Sequence, residues 1–305
     1  TSMASPVVSG AVALFIEKYR DTHDGATPSP ALIKAAFTAV AMNLQGFRNA
    51  DGDTMEHRPD RFQGYGRLDI QAVLNPSDAV VYFEQETVFT NSGQQWTRTI
   101  SAADPSRPMR FMLAWTDAPG HGNGGTTPAW VNNLDLSVTA GGSLYRGNVV
   151  GSDGWSQAGG SADEKNNLEG VFLSAAQHGG AVTLTVDATN IAADALNPHD
   201  QGAPAQDFAL VCYNCTTEPD FGLSVTPSRV AVCVPEDAQT TVTALSFGGF
   251  SDPVTLALNG LPAGASASFA QPTLTPAQPP TASSSTTPVI GNTAAIVPGT
   301  HALQI

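Results

Sequence analysis

"NLDLSVTA", residues 133–140, alternates apolar and polar positions, with Leu134, Leu136 and Val138 on one side. A period of two marks a strand with one buried face. The same texture runs outward in both directions. "AVVYFEQETVFT" (79–90), "QWTRTIS" (95–101) and "MRFMLAWTD" (109–117) precede it. "GGSLYRGN" (141–148), "GVFLSA" (170–175), "AVTLTVDATN" (181–190) and "DFALVCYN" (207–214) follow. Each is short, β-rich and bounded by turn residues. About eight strands at this spacing predict a β-sandwich or jelly roll over residues 76–216. No helical pattern intervenes, which argues against a parallel α/β sheet.

Beyond "TTEPD" (216–220), residues 217–305 again alternate strand-like runs with Pro and Gly turns. "PVTLALNGLPAGASASF" there resembles Ig-like modules of secreted bacterial proteins. "TLTPAQPPTASSSTTP" (273–288) is low in complexity and reads as a loop. The first 75 residues differ in kind. From Ser2 to Tyr19 no breaker interrupts the interior, and Val7, Val8, Val12, Leu14, Phe15 and Ile16 lie on nearly every face. A helix apolar all round is a buried helix. Ser2 suits its N-cap, and Pro6 falls near the first turn, where a missing N–H costs least. "TPSPALIKAAFTAVAMN" (27–43) carries Ser29 as a cap, Pro30 at the first helical position and apolar residues at helical spacing. "GYGRLDIQAVL" (64–74) predicts a sharp turn and a last short helix. "NADGDTMEHRPDRFQ" (49–63) is a polar loop in which Asp51 and Asp53 only partly match a calcium-loop pattern.

A serine at the N-terminus of a buried helix sits where free N–H groups and the helix dipole favour negative charge. That suits a nucleophile whose reaction makes an oxyanion; a plain helix cap is the alternative. Thr1-Ser2-Met3-Ala4-Ser5-Pro6, followed by Val8, Gly10 and Ala11, resembles the nucleophile motif of subtilisin-like serine proteases. Six consecutive residues match; Ser9 stands where the family usually has Ala, and Val7 where it often has His. The helix at 30–43 and the Gly64–Gly66 segment resemble the family's following elements. The resemblance implies that Ser2 is the acylating serine and that its own N–H is an oxyanion donor. The family's Asp, His and side-chain oxyanion Asn precede the serine. The chain is therefore expected to be a fragment that needs an upstream part of the same domain and is inert without it. "LAWTDAPG…VNNLDLSVTAGGSLYRGN…EKNNLEGVFL…GAVTLTVDATN…QDFALV" resembles the jelly-roll domain behind some bacterial subtilases, and more distantly the P-domain of kexin-like proteases. The family needs no cofactor for its chemistry. Some members bind structural calcium through Asp-rich loops, and Asp117, Asn133 and Asp135 offer hard oxygen ligands. Alternatively, Asp117 caps a turn while Asn133 and Asp135 fix the loop before a strand.

The expected fold class is thus multidomain: the helical C-terminal part of a subtilisin-like α/β catalytic domain (1–75), then two all-β sandwich domains (76–216 and 217–305). A formal charge of −14 with only 13 Lys and Arg leaves no basic footprint for nucleic acid. No unbroken apolar run suits a membrane span. Cys212, Cys215 and Cys233 allow one bridge and one leftover thiol; a secreted-type disulfide fits better than a redox or zinc role for Cys212-x-x-Cys215. The expected substrate is a protein or peptide, and the expected setting is extracellular. Of the six histidines, His57 in "MEHRPDR" most invites a catalytic role, yet in the family's order the base precedes Ser2. Two other functions compete. One is an extracellular β-sandwich binding or adhesion protein with a relic of the protease helix. The other is a hydrolase with Thr1 attacking and its own amine as base.

Overall fold

A computed structural model describes residues 2–120, 122, 128, 130–199, 202–217, 220–247, 250–277 and 281–305. Thr1 and His121 lie outside the described residues. The chain divides into two compact units, 1–217 and 218–305.

The first unit opens with three helices: α1 (Ala4–Thr22), α2 (Pro30–Ala39) and α3 (Ile70–Leu74). Ten strands follow. They are β1 (Val80–Glu84), β2 (Gln95–Ala102), β3 (Met109–Ala114), β4 (Asn133–Ala140), β5 (Ser143–Val150), β6 (Ser156–Ala158), β7 (Leu168–Leu173), β8 (Ala181–Asn190), β9 (Ala209–Tyr213) and β10 (Cys215–Thr216). The four-residue helix α4 (Ala175–His178) interrupts them between β7 and β8. The strands form two antiparallel sheets, ordered β1-β9-β3-β7 and β10-β2-β8-β4-β5-β6.

The inner faces of the two sheets share one core. Leu134, Leu136 and Val138 of β4 meet Phe111 and Leu113 of β3 and Leu210 and Cys212 of β9 there. The pleat sends the intervening residues the other way. Met112 and Ala114 of β3, with Ala209, Val211 and Tyr213 of β9, pack under α2 and α1, against Leu32, Ala35, Ala36, Phe15 and Tyr19. The smaller sheet is therefore covered on both sides, which is why β3 and β9 read as nearly unbroken apolar runs. Polar ties fix α2 on it. Ser29 Oγ accepts from Leu32 N at 3.0 Å, and Ser29 N donates to Glu84 Oε1 on β1 at 3.0 Å. Lys34 Nζ reaches Asn167 Oδ1 at 2.9 Å, and Tyr213 Oη donates to Ala36 O at 3.3 Å.

Helix α1 departs from expectation. Only Ala11, Phe15 and Tyr19 are buried, while Met3, Val7, Val8 and Leu14 are 86%, 64%, 45% and 47% exposed. Apolar residues on every face made it read as surrounded, but only one face meets the sheet-covering layer. Its N-cap is Met3 rather than Ser2, with no side-chain cap bond.

Among its described residues the second unit has three small antiparallel sheets. Strand 241–247 lies between 220–226 and 285–286; strand 288–291 lies between 238–239 and 266–269; 254–255 pairs with 273–274. Its core is slight: Val242, Ala244, Leu256 and Leu274. The stretch read as a loop, 273–288, in fact contributes strand residues at both ends, while 278–280 lie outside the described residues. Past residue 79 the longest described helix is α4, so the helical part does end where the β pattern begins.

Candidate functional site

Ser2 sits in the turn that enters α1, exposed, with no hydrogen-bond partner for its hydroxyl among the described residues. The described histidines are committed elsewhere or lie open. His23 Nδ1 contacts Tyr19 O at 3.0 Å and its ring stacks on Tyr19. His178 bridges Arg107 O and Gly180 N, and His301 contacts Val297 O. His57 Nδ1 contacts Arg58 O at 2.6 Å. No described histidine hydrogen-bonds Ser2. His57, in the polar loop 49–63, is half-buried, its ring filling the space where a Cβ at Gly154 would stand.

The three oxygen-bearing residues near 117–135 divide in two. Asp117 accepts from the backbone N–H groups of Ala118, Val131 and Asn132 at 2.7–2.9 Å, so it clamps the two ends of the intervening loop. Burial pushes its carboxyl up, against those three donors. Asn133 and Asp135 share one face of β4, and Asn133 Nδ2 contacts Asp135 Oδ1 at 3.5 Å. Thr189 donates to the other Asp135 oxygen. Burial raises the Asp135 carboxyl as well. The backbone around this pair is held by Asn132, fully buried, which bonds Ala192 N, Ala193 N and O, and Gln206 Oε1. Among the described residues no three His, Cys, Asp or Glu side chains gather as a metal centre. In the 49–63 loop, Asn49 Oδ1 accepts from Asp51 N and Asp53 N, which closes a tight turn.

Two groups carry chemistry that the sequence did not announce. Glu169 on β7 is fully buried, facing the inter-sheet core. Its Oε2 accepts from Leu136 N at 2.7 Å, while Oε1 has no partner. Strand β5 pairs with β4 only from Ser137 onward, so the Glu169 carboxyl takes the place of the missing strand partner of Leu136. Gly147 leaves it room, since a Cβ there would strike the carboxyl. Burial pushes the Glu169 carboxyl up to about 9, with the Leu136 N–H opposing and Asp135 and Asp163 adding to the rise. Arg58, 6% exposed, donates through Nη1 to Thr38 O and Tyr65 O at 3.2 Å and through Nη2 to Ala39 O at 3.3 Å. It thus closes the negative end of α2. Cys212 and Cys215 form a disulfide at the end of β9, and Cys233 is free and exposed.

Among the described residues no helix is long and apolar enough to cross a membrane. No protein-family model matches the chain, and no curated protein matches it.

Proposed function

We propose that the chain carries the nucleophile of a secreted subtilisin-like serine endopeptidase, with Ser2 as the acylating residue. The observation that supports this reading is the Thr1–Pro6 sequence together with Ser2 in the turn that enters α1, its hydroxyl exposed and unpartnered among the described residues. In this mechanism Ser2 Oγ attacks the scissile carbonyl carbon while a histidine base takes its proton. The oxyanion that forms is held by N–H groups at the helix start, where the helix dipole favours it. Expulsion of the amine leaves an acyl-Ser2 ester, which water then hydrolyses. The base, its orienting carboxylate and a side-chain oxyanion donor come from residues ahead of Thr1. The buried Cys212–Cys215 disulfide supports an oxidising compartment. No cofactor takes part; calcium, if held, is structural.

A fluorophosphonate probe tests the reading. Expressed with the coding sequence that precedes it, the protein should be labelled at Ser2, and Ser2→Ala should abolish both labelling and peptide hydrolysis. The 305-residue chain alone should stay unlabelled. Failure of the longer protein to label would leave the binding or adhesion reading in its place.

A further inference from the structure

A cleft of about 260 Å³ in the first unit takes no part in the chemistry above. Arg58 and Arg110 line it together with His57, Asp69, Trp155 and Phe172. This is an acidic chain, yet two of its few cations meet here, and Asp78, the acid that acts on Arg110, is itself paired with Arg107 at 2.6 Å. Among the described residues the ion pairs within 4 Å are Arg98–Glu86 and Arg107–Asp78, neither in the cleft. Asp69 is occupied otherwise, its Oδ1 accepting from Ala72 N at 3.0 Å as the cap of α3.

Capping of α2 accounts for Arg58 but not for Arg110. Among the described residues the Arg110 side chain makes one hydrogen bond, from Nη1 to Ala39 O at 3.3 Å, the carbonyl Arg58 already reaches. A guanidinium has five N–H donors in a planar fork, so most of those on Arg110 stay unassigned. Two adjacent guanidinium groups repel, and burial together with Arg110 lowers Arg58 to about 10, which still leaves it charged at neutral pH. Packing alone gives no reason to hold such a pair together. An anion laid across both does, because planar bidentate recognition is what arginine offers over lysine.

The aromatic lining beside the arginines limits what that anion is. Trp155 is half-buried and Phe172 is 5% exposed, with the Arg58 guanidinium 5.8 Å from the Phe172 ring centroid. Gly154 is required for this lining, since any Cβ there would enter the His57 ring. A carboxylate matches the planar guanidinium fork, and a flat apolar body matches the aromatic rings beside it. We propose that the cleft binds a small organic carboxylate with a flat apolar body, its carboxylate on Arg58 and Arg110 and its body against Trp155 and Phe172. The site stands on these residues alone, independent of the protease reading.

Titration calorimetry on the whole chain with benzoate tests it, with benzamide and inorganic phosphate as comparison ligands. Benzoate should bind saturably and more tightly than either. Arg110→Gln should weaken it about tenfold or more, the loss of a charge-assisted bond, with Arg110→Lys in between. Circular dichroism melts establish that the variants fold; should Arg110→Gln not fold, Trp155→Ala must weaken benzoate instead. No binding by the wild type up to roughly 50 mM, well above the millimolar scale of a minimal site, would overturn the proposal. So would equal affinity in wild type and folded Arg110→Gln, benzamide binding as well as benzoate, or phosphate binding better.

Discussion

Glu169 shows how far one side chain can bend the behaviour of a sheet. Folded, it keeps its proton up to about pH 9; in the unfolded chain it releases it near the ordinary 4.5. Between those values the folded state binds more protons than the unfolded one, so stability falls as pH rises. The slope is about 1.4 kcal/mol for each pH unit in that window. Glu169→Gln keeps an oxygen for Leu136 N and has nothing to ionise. It should match the wild type near pH 4.5 and exceed it by an amount that grows toward pH 9. Urea titrations at pH 5, 7 and 8.5 read this directly, and parallel pH profiles for the two proteins would refute it. Gly147→Ala should be destabilising at every pH, because its Cβ meets the same carboxyl. None of this was legible in "EKNNLEGVFL": a glutamate before an apolar run is ordinarily solvated, and only the partial pairing of β4 with β5 makes room for a buried one. Ser29 was legible, because a serine followed by proline at the first helical position has a local reason to cap. Ser29→Ala should cost about 1 kcal/mol by denaturation.

At the scale of elements, the strands were read well and the first helix only in part. Strands 133–140 and 181–190 fall where alternation placed them, since a strand with one buried face writes its register into every second residue. Strands β3 and β9 carry no such alternation, and a second covering layer explains why. For α1, composition told which side chains are apolar but not what lies against them. The structure assigns the burial to Ala11, Phe15 and Tyr19. Phe15→Ala should therefore cost about 3–5 kcal/mol, whereas Val7→Ser or Leu14→Ser should stay within about 0.5 kcal/mol in this chain. On the protease reading, residues ahead of Thr1 cover that exposed stripe. In a longer protein the same serine substitutions should then cost roughly 1.5–3 kcal/mol each. Equal, small effects in both proteins would count against that reading. The comparison is sharp because Phe15 is covered in either case.

The whole molecule turns on which layers depend on one another. By pattern alone, residues 79–215 look able to fold by themselves and 1–75 do not. The packing changes the first half of that expectation. Met112, Val211, Tyr213 and Phe172, each no more than 5% exposed, form a face of the smaller sheet that α1 and α2 cover. Removing residues 1–78 would uncover all four at once. Each large side chain returned to water costs about 1.5–3 kcal/mol, so the loss is on the order of 6–12 kcal/mol. A domain has only about 5–15 kcal/mol in total. The ties from Ser29 N to Glu84 and from Lys34 to Asn167 would go as well. The 79–217 segment should consequently bind a hydrophobic dye, aggregate or melt without a cooperative transition, while residues 1–217 unfold as one. Calorimetry of the two proteins, with dye binding as a second readout, decides the matter. A sharp two-state melt of 79–217 within a few degrees of the longer protein would show that the helical layer only leans on the sheet and does not hold it.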